Sequence, residues 1–377
     1  MGSTTTRVVV GEFFKGEPNP KIIGVGEAMT MGMRHGYVVS FADVLNSVKT
    51  AVLIAEKSSG IKIRRAFVSI GGATLRGTVS TGSAIISKAD SEVTNLDMHK
   101  ALEDCESNMS LGNKKIIQSF PLSYKLDGKD VLGRLEGMHG NKLEIKAHFI
   151  TCSKQHFEDL LEVIEEAGVE VIDFIPSPIA GSLITLSKKQ KMVGTALVDI
   201  GGETTSLAVF ENELLISLHT FSIGASDITN DIALGLKISL EEAESVKLGT
   251  SSLEFSQKKL NEIVEARLSD IFELIENHLK KIKRNELLPA GVVFIGGGAN
   301  TLNLSELSKS FLKLTSKIGT TDMFGITKTK LRDPQYFVAL GLLLSTKNQT
   351  GYSEGTFTNL FKDIKNTLKS SLKQLMP

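Results

Sequence analysis

Residues 195–210 read TALVDIGGETTSLAVF, running from Thr195 to Phe210. Two apolar, β-branched runs flank the turn Asp199-Ile200-Gly201-Gly202-Glu203-Thr204-Thr205, which predicts a strand, a tight turn and a strand. Glycines in such a turn let backbone N–H groups approach an anion closely. A carboxylate at the strand end can hold the water shell of Mg2+, and Thr204 and Thr205 add hydroxyls. A plain β-hairpin fits the turn equally well, so this stretch alone divides evenly between the two.

Downstream, 213–221 predicts a third strand, and Ser239-x-x-Glu242 is a capping box that opens a short helix. In the region from Gly224 to Gly249, Glu244 and Lys247 lie three apart and share a helix face. They read as a surface ion pair, or as a carboxylate for ribose hydroxyls with a lysine beside a base. Residues ~256–285 predict a long amphipathic helix through Leu260, Val264, Leu268, Ile271, Ile275, Leu279 and Ile282. Residues 291–298 (GVVFIGGG) predict a buried strand entering the corner Gly296-Gly297-Gly298, which suits close approach of a ring or phosphate, or a tight packing corner. Helices are expected at 305–314 and 335–344.

Upstream, strands are expected at 6–13, 20–29 and 61–70. A helix between them has Ser40 as N-cap, Phe41, Val44, Leu45, Val48, Val52 and Leu53 on its inner face, and Gly60 at its end. Residues 73–148 differ: strand-like stretches at 78–86, 114–126 and 142–150 surround one helix at 95–108, as in an inserted α+β subdomain. Ser153 then caps a helix with Phe157, Leu160, Leu161 and Ile164 inward, and 169–174 is a strand. Residues 188–194 read as a basic connector. Each half holds a strand–turn–strand unit followed by alternating elements, the pattern of a duplicated α/β fold with a cleft between halves.

Composition sets the class. The chain has 377 residues, 41% hydrophobic and 23% charged, with 43 basic and 43 acidic side chains and no net charge. That excludes a disordered chain, a collagen and a small disulfide scaffold. It also argues against a nucleic-acid surface, which shows as a basic excess. Cys105 and Cys152 have no C-x-x-C spacing and read as reduced thiols. The seven histidines show no metal spacing, and His35 reads as structural. No apolar run approaches the ~20 residues of a membrane span, and no signal region is present, so a soluble cytoplasmic protein is expected.

The end of the chain is distinct. After a linker at 347–356, Phe357, Leu360, Phe361, Ile364, Leu368, Leu372, Leu375 and Met376 form one helical stripe flanked by Lys362, Lys365, Lys369 and Lys373. Four lysines against Asp363 leave +3 on the tail and about −3 on the body. The pattern fits an amphipathic helix lying in a membrane interface.

The Asp199 turn, the Glu244–Lys247 region and the Gly296 corner occur in this order and spacing. With them stand Gly32–Val39 (GMRHGYVV), Asp127-Gly128 with 137–140 (GMHG), 148–153 (HFITCS), 229–233 (TNDIA) and Asp333-Pro334 before 341–343 (GLL). By these stretches, which cover nearly the whole chain, it resembles the FtsA family of the actin/Hsp70/sugar-kinase superfamily. The resemblance implies an α/β, actin-like (ribonuclease H-like) fold of duplicated domains. Subdomain 1A would take 1–72 and 149–187, the inserted 1C 73–148, 2A 188–222 and 289–346, and 2B 223–288. The linker at 347–356 and the membrane-targeting helix at 357–377 would follow.

It further implies ATP with Mg2+ held between the halves. Gly2, Ser3 and Thr4 would fall at the first phosphate motif, Asp199 (to Mg2+ through water), Gly201, Gly202 and Thr204 at the second, Gly296, Gly297 and Gly298 at the adenosine motif. Glu244 and Lys247 would make the ribose and adenine contacts, and Gly224 lies beside them. Implied partners are other subunits in a filament, an anionic inner-membrane surface, other divisome proteins and the C-terminal tail of FtsZ. A basic cluster of Arg267, Lys280, Lys281, Lys283 and Arg284 is the candidate FtsZ surface, although it also suits a helix C-terminus.

Two departures stand out. The family's first phosphate motif is a strand ending Asp-Ile-Gly-Thr, whereas this chain starts Met1-Gly2-Ser3-Thr4. The first strand reads as missing, through truncation or a misplaced start, which should impair nucleotide binding. The inter-domain connection Ile175-Pro176-Ser177-Pro178-Ile179-Ala180 carries serine where hydrolysing relatives carry Glu or Gln. Serine is no general base at neutral pH, so weak hydrolysis at most is expected. The rival readings are a pilus-assembly adaptor of the same fold and an ATP-hydrolysing enzyme of the superfamily.

Overall fold

A computed structural model describes residues 1–14, 16–17, 19–251, 255–321 and 329–349. The membrane-helix residues Phe357 to Met376 lie outside them.

β1 (Thr5–Glu12) and β2 (Lys21–Met29) form an antiparallel hairpin, followed by a short ribbon of β3 (Met33–Arg34) and β4 (Tyr37–Val38). α1 (Phe41–Ser59) ends at Gly60, whose φ of 72° is the left-handed cap expected of glycine. Ser40 stands at the N-cap, but its hydroxyl donates to Asp43 (2.6 Å) instead of accepting a backbone N–H. The buried face is Val44, Ser47, Val48, Ala51 and Ala55, while Phe41 and Leu53 point outward. Close approach explains the rotation: a Cβ on Gly26 would lie 2.0 Å from the Ala51 carbonyl. Small residues on the helix and glycine on the strand let the two backbones touch. β5 (Arg65–Ile70) is shorter than expected because the Ile63 N–H is drawn to Glu56 Oε1 (2.8 Å) at the end of α1.

The insertion comprises β6 (Arg76–Ile85), α2 (Asn95–Ser107), β7 (Lys114–Leu126), β8 (Lys129–Val131) and β9 (Lys142–Ser153). α3 (Lys154–Glu166), β10 (Glu170–Pro176), α4 (Ser177–Thr185) and α5 (Lys188–Val193) follow. The expected connector at 188–194 is thus largely helix, started by a capping box between Ser187 and Gln190. The second half holds β11 (Thr195–Ile200), β12 (Thr205–Glu211), β13 (Leu214–Phe221), α6 (Ala225–Leu236), α7 (Leu240–Lys247), α8 (Gln257–Lys281), β14 (Val292–Ile295), α9 (Leu304–Leu312), β15 (Ser316–Ile318) and α10 (Phe337–Gln349).

Nine strands form one sheet in the order β15-β14-β11-β12-β13-β6-β9-β7-β8. The insertion joins the second half through one pairing, His219 with Arg76. On one face Val198, Ile200, Leu207 and Val209 pack against Ile228 and Ile232 of α6 and Leu268, Ile271 and Ile275 of α8. On the other, Leu197 and Ile295 share a core with Ile70, Phe174, Phe337 and Leu340 of the first half and α10. α4 and α10 cross in backbone contact, since a Cβ on Gly341 would lie 1.9 Å from the Ala180 carbonyl. The first half is split: β1 pairs with β2 and β5 with β10, as two separate ribbons.

Candidate functional site

β11 and β14 are parallel neighbours, with Asp199 opposite Ile295, and both end at a glycine turn. The carboxyl ends of such strands are where open α/β sheets place ligands. Here they floor a cavity of about 1170 Å³ that opens between the halves. It is lined by Gly2, Ser3 and Thr4 from the first half, by Asp199, Gly201, Gly202 and Thr204 at the β11–β12 turn, by Glu244 and Lys247 from α7, and by Gly296, Gly297 and Gly298. The positions singled out in the sequence therefore converge, apart from Gly224, which lies just behind the wall. A Cβ there would meet the Gly202 carbonyl at 2.4 Å.

The glycines do different work. Gly296 has φ 86°, and a Cβ on it would stand 2.4 Å from Asp199 Oδ1. Gly298 is pressed on Ile200, with a Cβ at 2.3 Å from Cγ2. Gly297 has open space where a Cβ would be, so its bareness clears room in the cavity. The β11–β12 turn closes through Gly201 N–H to the Thr204 carbonyl (2.8 Å). The Gly201 and Gly202 carbonyls accept the Ala225 and Ser226 N–H groups (2.9 and 2.7 Å), which seats the start of α6 on the turn. Of the two threonines, only Thr204 faces the cavity; Thr205 is buried and its hydroxyl donates to the Ile223 carbonyl (2.8 Å).

Glu203 points across the cleft. Its carboxylate accepts the His35 N–H (2.5 Å), and its carbonyl lies 3.0 Å from His35 Nδ1. The structural role expected of His35 is met: it ties the β3–β4 ribbon to the Asp199 turn from a left-handed φ of 48°. Ser3 Oγ accepts the Gly36 N–H (3.0 Å) in the same seam.

Asp199, at the end of β11, lines the cavity floor, and Glu244 and Asp333 are acidic lining residues beside it. Burial pushes the Asp199 carboxyl up to about 6, with the Arg7 charge acting the other way. A partly buried carboxylate at the cavity floor with one partial counter-charge fits a hydrated divalent cation, which would favour its charged form. The described residues contain no cluster of three or more metal-ligating side chains. A cation here would therefore be held through water and ligand oxygens, the habit of Mg2+.

The Glu244–Lys247 pair is only partly a surface pair. Lys247 Nζ is 2.6 Å from Glu244 Oε2 and donates to Thr229 Oγ1 (2.7 Å) and the Ala225 carbonyl (3.2 Å). Thr229 also donates to Glu244 (2.6 Å). These bonds fix both charged groups at the cavity wall. Arg7, Asn300, Asp333 and Gln335 line the cavity too, and no motif marks Arg7. Arg7 pairs with Glu27 (3.0 Å) and lies over the Tyr336 ring (5.1 Å). Ser177 is buried as the first residue of α4, and its hydroxyl donates to the Ile70 carbonyl (3.1 Å).

The basic cluster resolves into two sets. Arg267 is clamped by Asp231 through Nε (2.6 Å) and Nη2 (3.0 Å), and Arg284 by Glu211 (2.7 Å). Both are thus committed to internal pairs with α6 and β12, which the run of basic letters did not reveal. Lys280, Lys281 and Lys283 are exposed, with Lys280 paired to Glu276 (2.9 Å). Cys105 and Cys152 are buried free thiols, pushed up to about 11 and about 12 by burial.

Comparison with known proteins decides the family. Residues 196–341 match the family model for cell division protein FtsA, and residues 72–151 match the SHS2 domain inserted in FtsA. The cell division protein FtsA of Bacillus subtilis is 30% identical over 365 residues, covering 91% of this chain and 81% of that one. The chain belongs to the FtsA family of cell-division proteins. FtsA of Pseudomonas aeruginosa is 26% identical over 367 residues, covering 91% and 87%. Among solved structures, the PilM–PilN type IV pilus biogenesis complex aligns over 92% of this chain and 96% of that one, with TM-score 0.68 at 17% identity. The ethanolamine utilization protein EutJ of Carboxydothermus hydrogenoformans aligns over 91% and 86%, with TM-score 0.54 at 16% identity. These two likenesses concern the fold, which is actin-like. The SHS2 match falls on β6 to β9, the block whose pattern reads as an inserted α+β subdomain. Family membership gives the chain a division-site role. No helix among the described residues is long and apolar enough to cross a membrane.

Proposed function

We propose that this FtsA-family chain binds ATP with Mg2+ in the cleft, assembles head to tail on the anionic inner membrane through 357–377, and tethers FtsZ filaments there among the other divisome proteins. The observation that carries the nucleotide reading is convergence. Residues scattered over nearly 300 positions, from Gly2 to Gly298, line one cavity at the carboxyl ends of parallel strands. Phosphates would lie at the Asp199 turn, with Thr204 donating and Asp199 ordering the cation's water. The ribose and base would lie between Glu244, Lys247 and the bare Gly297. Ser177 is spent on a backbone carbonyl, which supports slow hydrolysis and a nucleotide that orders the polymer.

Magnitudes favour collective attachment. Each lysine near an anionic surface contributes about 1 kcal/mol, and ordering the tail into a helix costs part of that. A single tail would bind reversibly, while several tails on one polymer would gain roughly 10²–10⁴ through avidity. Lys280, Lys281 and Lys283 are the proposed contacts for the acidic groups of the FtsZ tail, with Arg267 and Arg284 holding α8 in place. Liposome co-sedimentation, with and without Mg-ATP, tests the whole reading. The full chain should pellet more with nucleotide, and deletion of 357–377 should abolish pelleting. Unchanged pelleting after deletion would refute it.

A further inference from the structure

The insertion and the second half share one backbone pairing, Arg76 of β6 with His219 of β13. Residues directly opposite in an antiparallel pair project to the same face. The end of α8 reaches that region and brings two more side chains. The His278 ring stacks on His219 at 4.7 Å and stands edge-on to Phe221 at 6.3 Å, and its Nε2 lies 2.8 Å from Ser217 Oγ. Lys281, three residues on, shares a helix face with His278. Burial first, and then the positive charges of Arg76 and Lys281, lower both rings to about 4.

No carboxylate belongs to this cluster. Among the described residues none of the four groups takes part in an ion pair. Arg76 is half-buried, and its Nη1 donates to the Leu75 carbonyl at 2.9 Å. Burial lowers its pKa, with Tyr37 of β4 acting the other way, but an arginine stays charged and a tyrosine neutral at pH 7. Glu276, the nearest acidic residue along α8, is paired with Lys280 (2.9 Å). β12 sets Leu207 opposite His219. At pH 7 the rings are neutral, and Arg76 and Lys281 leave two positive charges that repel each other. The C-terminal end of α8 favours Lys281, but Arg76 lies on β6, outside that last turn.

We propose that Arg76, His219, His278 and Lys281 form a binding site for a phosphate-type dianion that bridges the insertion and the second half. Arg76 would meet two oxygens through its planar fork, a geometry that suits phosphate. Lys281 would add a point charge from the exposed side, and His219 a ring N–H. A dianion matches the two cations and leaves the site neutral. An opposite charge favours the protonated ring, so dianion binding and ring protonation should strengthen each other. Arg76 and both rings lie outside the nucleotide cleft and outside the proposed FtsZ contacts. The proposal therefore stands apart from both readings, although Lys281 is shared with the second.

The first probe is sulfate, which stays a dianion across the working pH range, added to the full chain in chloride buffer without nucleotide. The ring NMR signals of His219 and His278 report binding at the site itself. Saturable shifts of both are expected at neutral pH, and at saturation both rings should bind protons at least about tenfold more tightly. Arg76→Gln should weaken sulfate binding at least about tenfold, and Arg76→Lys should recover most of it, which separates lost charge from misfolding. Rings that ignore sulfate, unchanged proton affinity at saturation, or equal sulfate affinity in the parent and Arg76→Gln would each overturn the proposal. Inorganic phosphate and monomeric dihexanoyl phosphatidic acid then separate the sources. Both should shift the same two rings. Phosphatidic acid binding at least about tenfold tighter than phosphate assigns a lipid headgroup, and any smaller preference assigns free phosphate. A response to sulfate with none to either phosphate compound overturns the ligand class.

Discussion

Gly296 and Asp199 interlock: Gly296 adopts φ 86°, and any Cβ on it would fall 2.4 Å from Asp199 Oδ1. The two turns that floor the cleft are therefore built as one unit. Gly296→Ala must both strain the backbone and displace the carboxylate. The expected cost is about 2–4 kcal/mol of stability and at least a tenfold loss of Mg-ATP affinity, checked by denaturant unfolding and equilibrium binding. Gly297→Ala, with open space around it, should leave stability within about 0.5 kcal/mol while still weakening nucleotide binding.

Asp199 makes the unliganded protein pH-sensitive. Its carboxyl is raised to about 6 in the fold, so between ~4 and ~6 the native state binds more protons than the unfolded state. This group therefore lowers stability as pH rises through that window, by about 3 kcal/mol in full. Asp199→Asn should gain most of that at pH 7.5 and little at pH 4, while losing Mg2+-dependent binding. His219 and His278, stacked at 4.7 Å and lowered to about 4, act with the opposite sign between ~4 and ~6.5. The difference between variant and parent isolates Asp199. A variant no more stable than its parent at pH 7.5 would contradict the assignment.

Lys247 separates binding from folding. It is mostly buried and holds Thr229, Glu244 and the Ala225 carbonyl. Lys247→Met keeps the apolar stem and removes the charge. It is expected to cost about 1 kcal/mol through the hydrogen bonds lost to Thr229 and the Ala225 carbonyl and to weaken ATP binding about tenfold, with GTP affected less. Equal loss for both nucleotides would place the lysine away from the base.

Gly341→Ala probes the crossing that fixes the halves. A Cβ would fall 1.9 Å from the Ala180 carbonyl, so α10 and α4 must separate. The expected loss is at least about 3 kcal/mol, read as a lower thermal midpoint. An unchanged midpoint would show that this crossing yields freely.

Much of this was legible in the chain. The Asp199 hairpin, the Ser239–Glu242 capping box and the α8 stripe each follow from local pattern, and each is present. α4 was missed because SPIAGSLIT is buried on nearly all sides and carries no stripe to read. α6 has the same difficulty, with Asn, Asp and Gly within it. Arg267 and Arg284 look like free cations in sequence because Asp231 and Glu211 reach them from other elements, 36 and 73 residues away. Glu203 and His35, 168 apart, meet only across the cleft. The convergence of the site was readable through the family resemblance, whereas Arg7 carries no motif.

The central claim is that the cleft between the Asp199 turn and the Gly296 corner binds ATP. Equilibrium titration of the full chain with Mg-ATP tests it most directly, alongside Gly296→Ala. The account predicts saturable one-to-one binding in the parent that is at least tenfold weaker in the variant. Absence of saturable binding, or equal affinity in the two proteins, would contradict it.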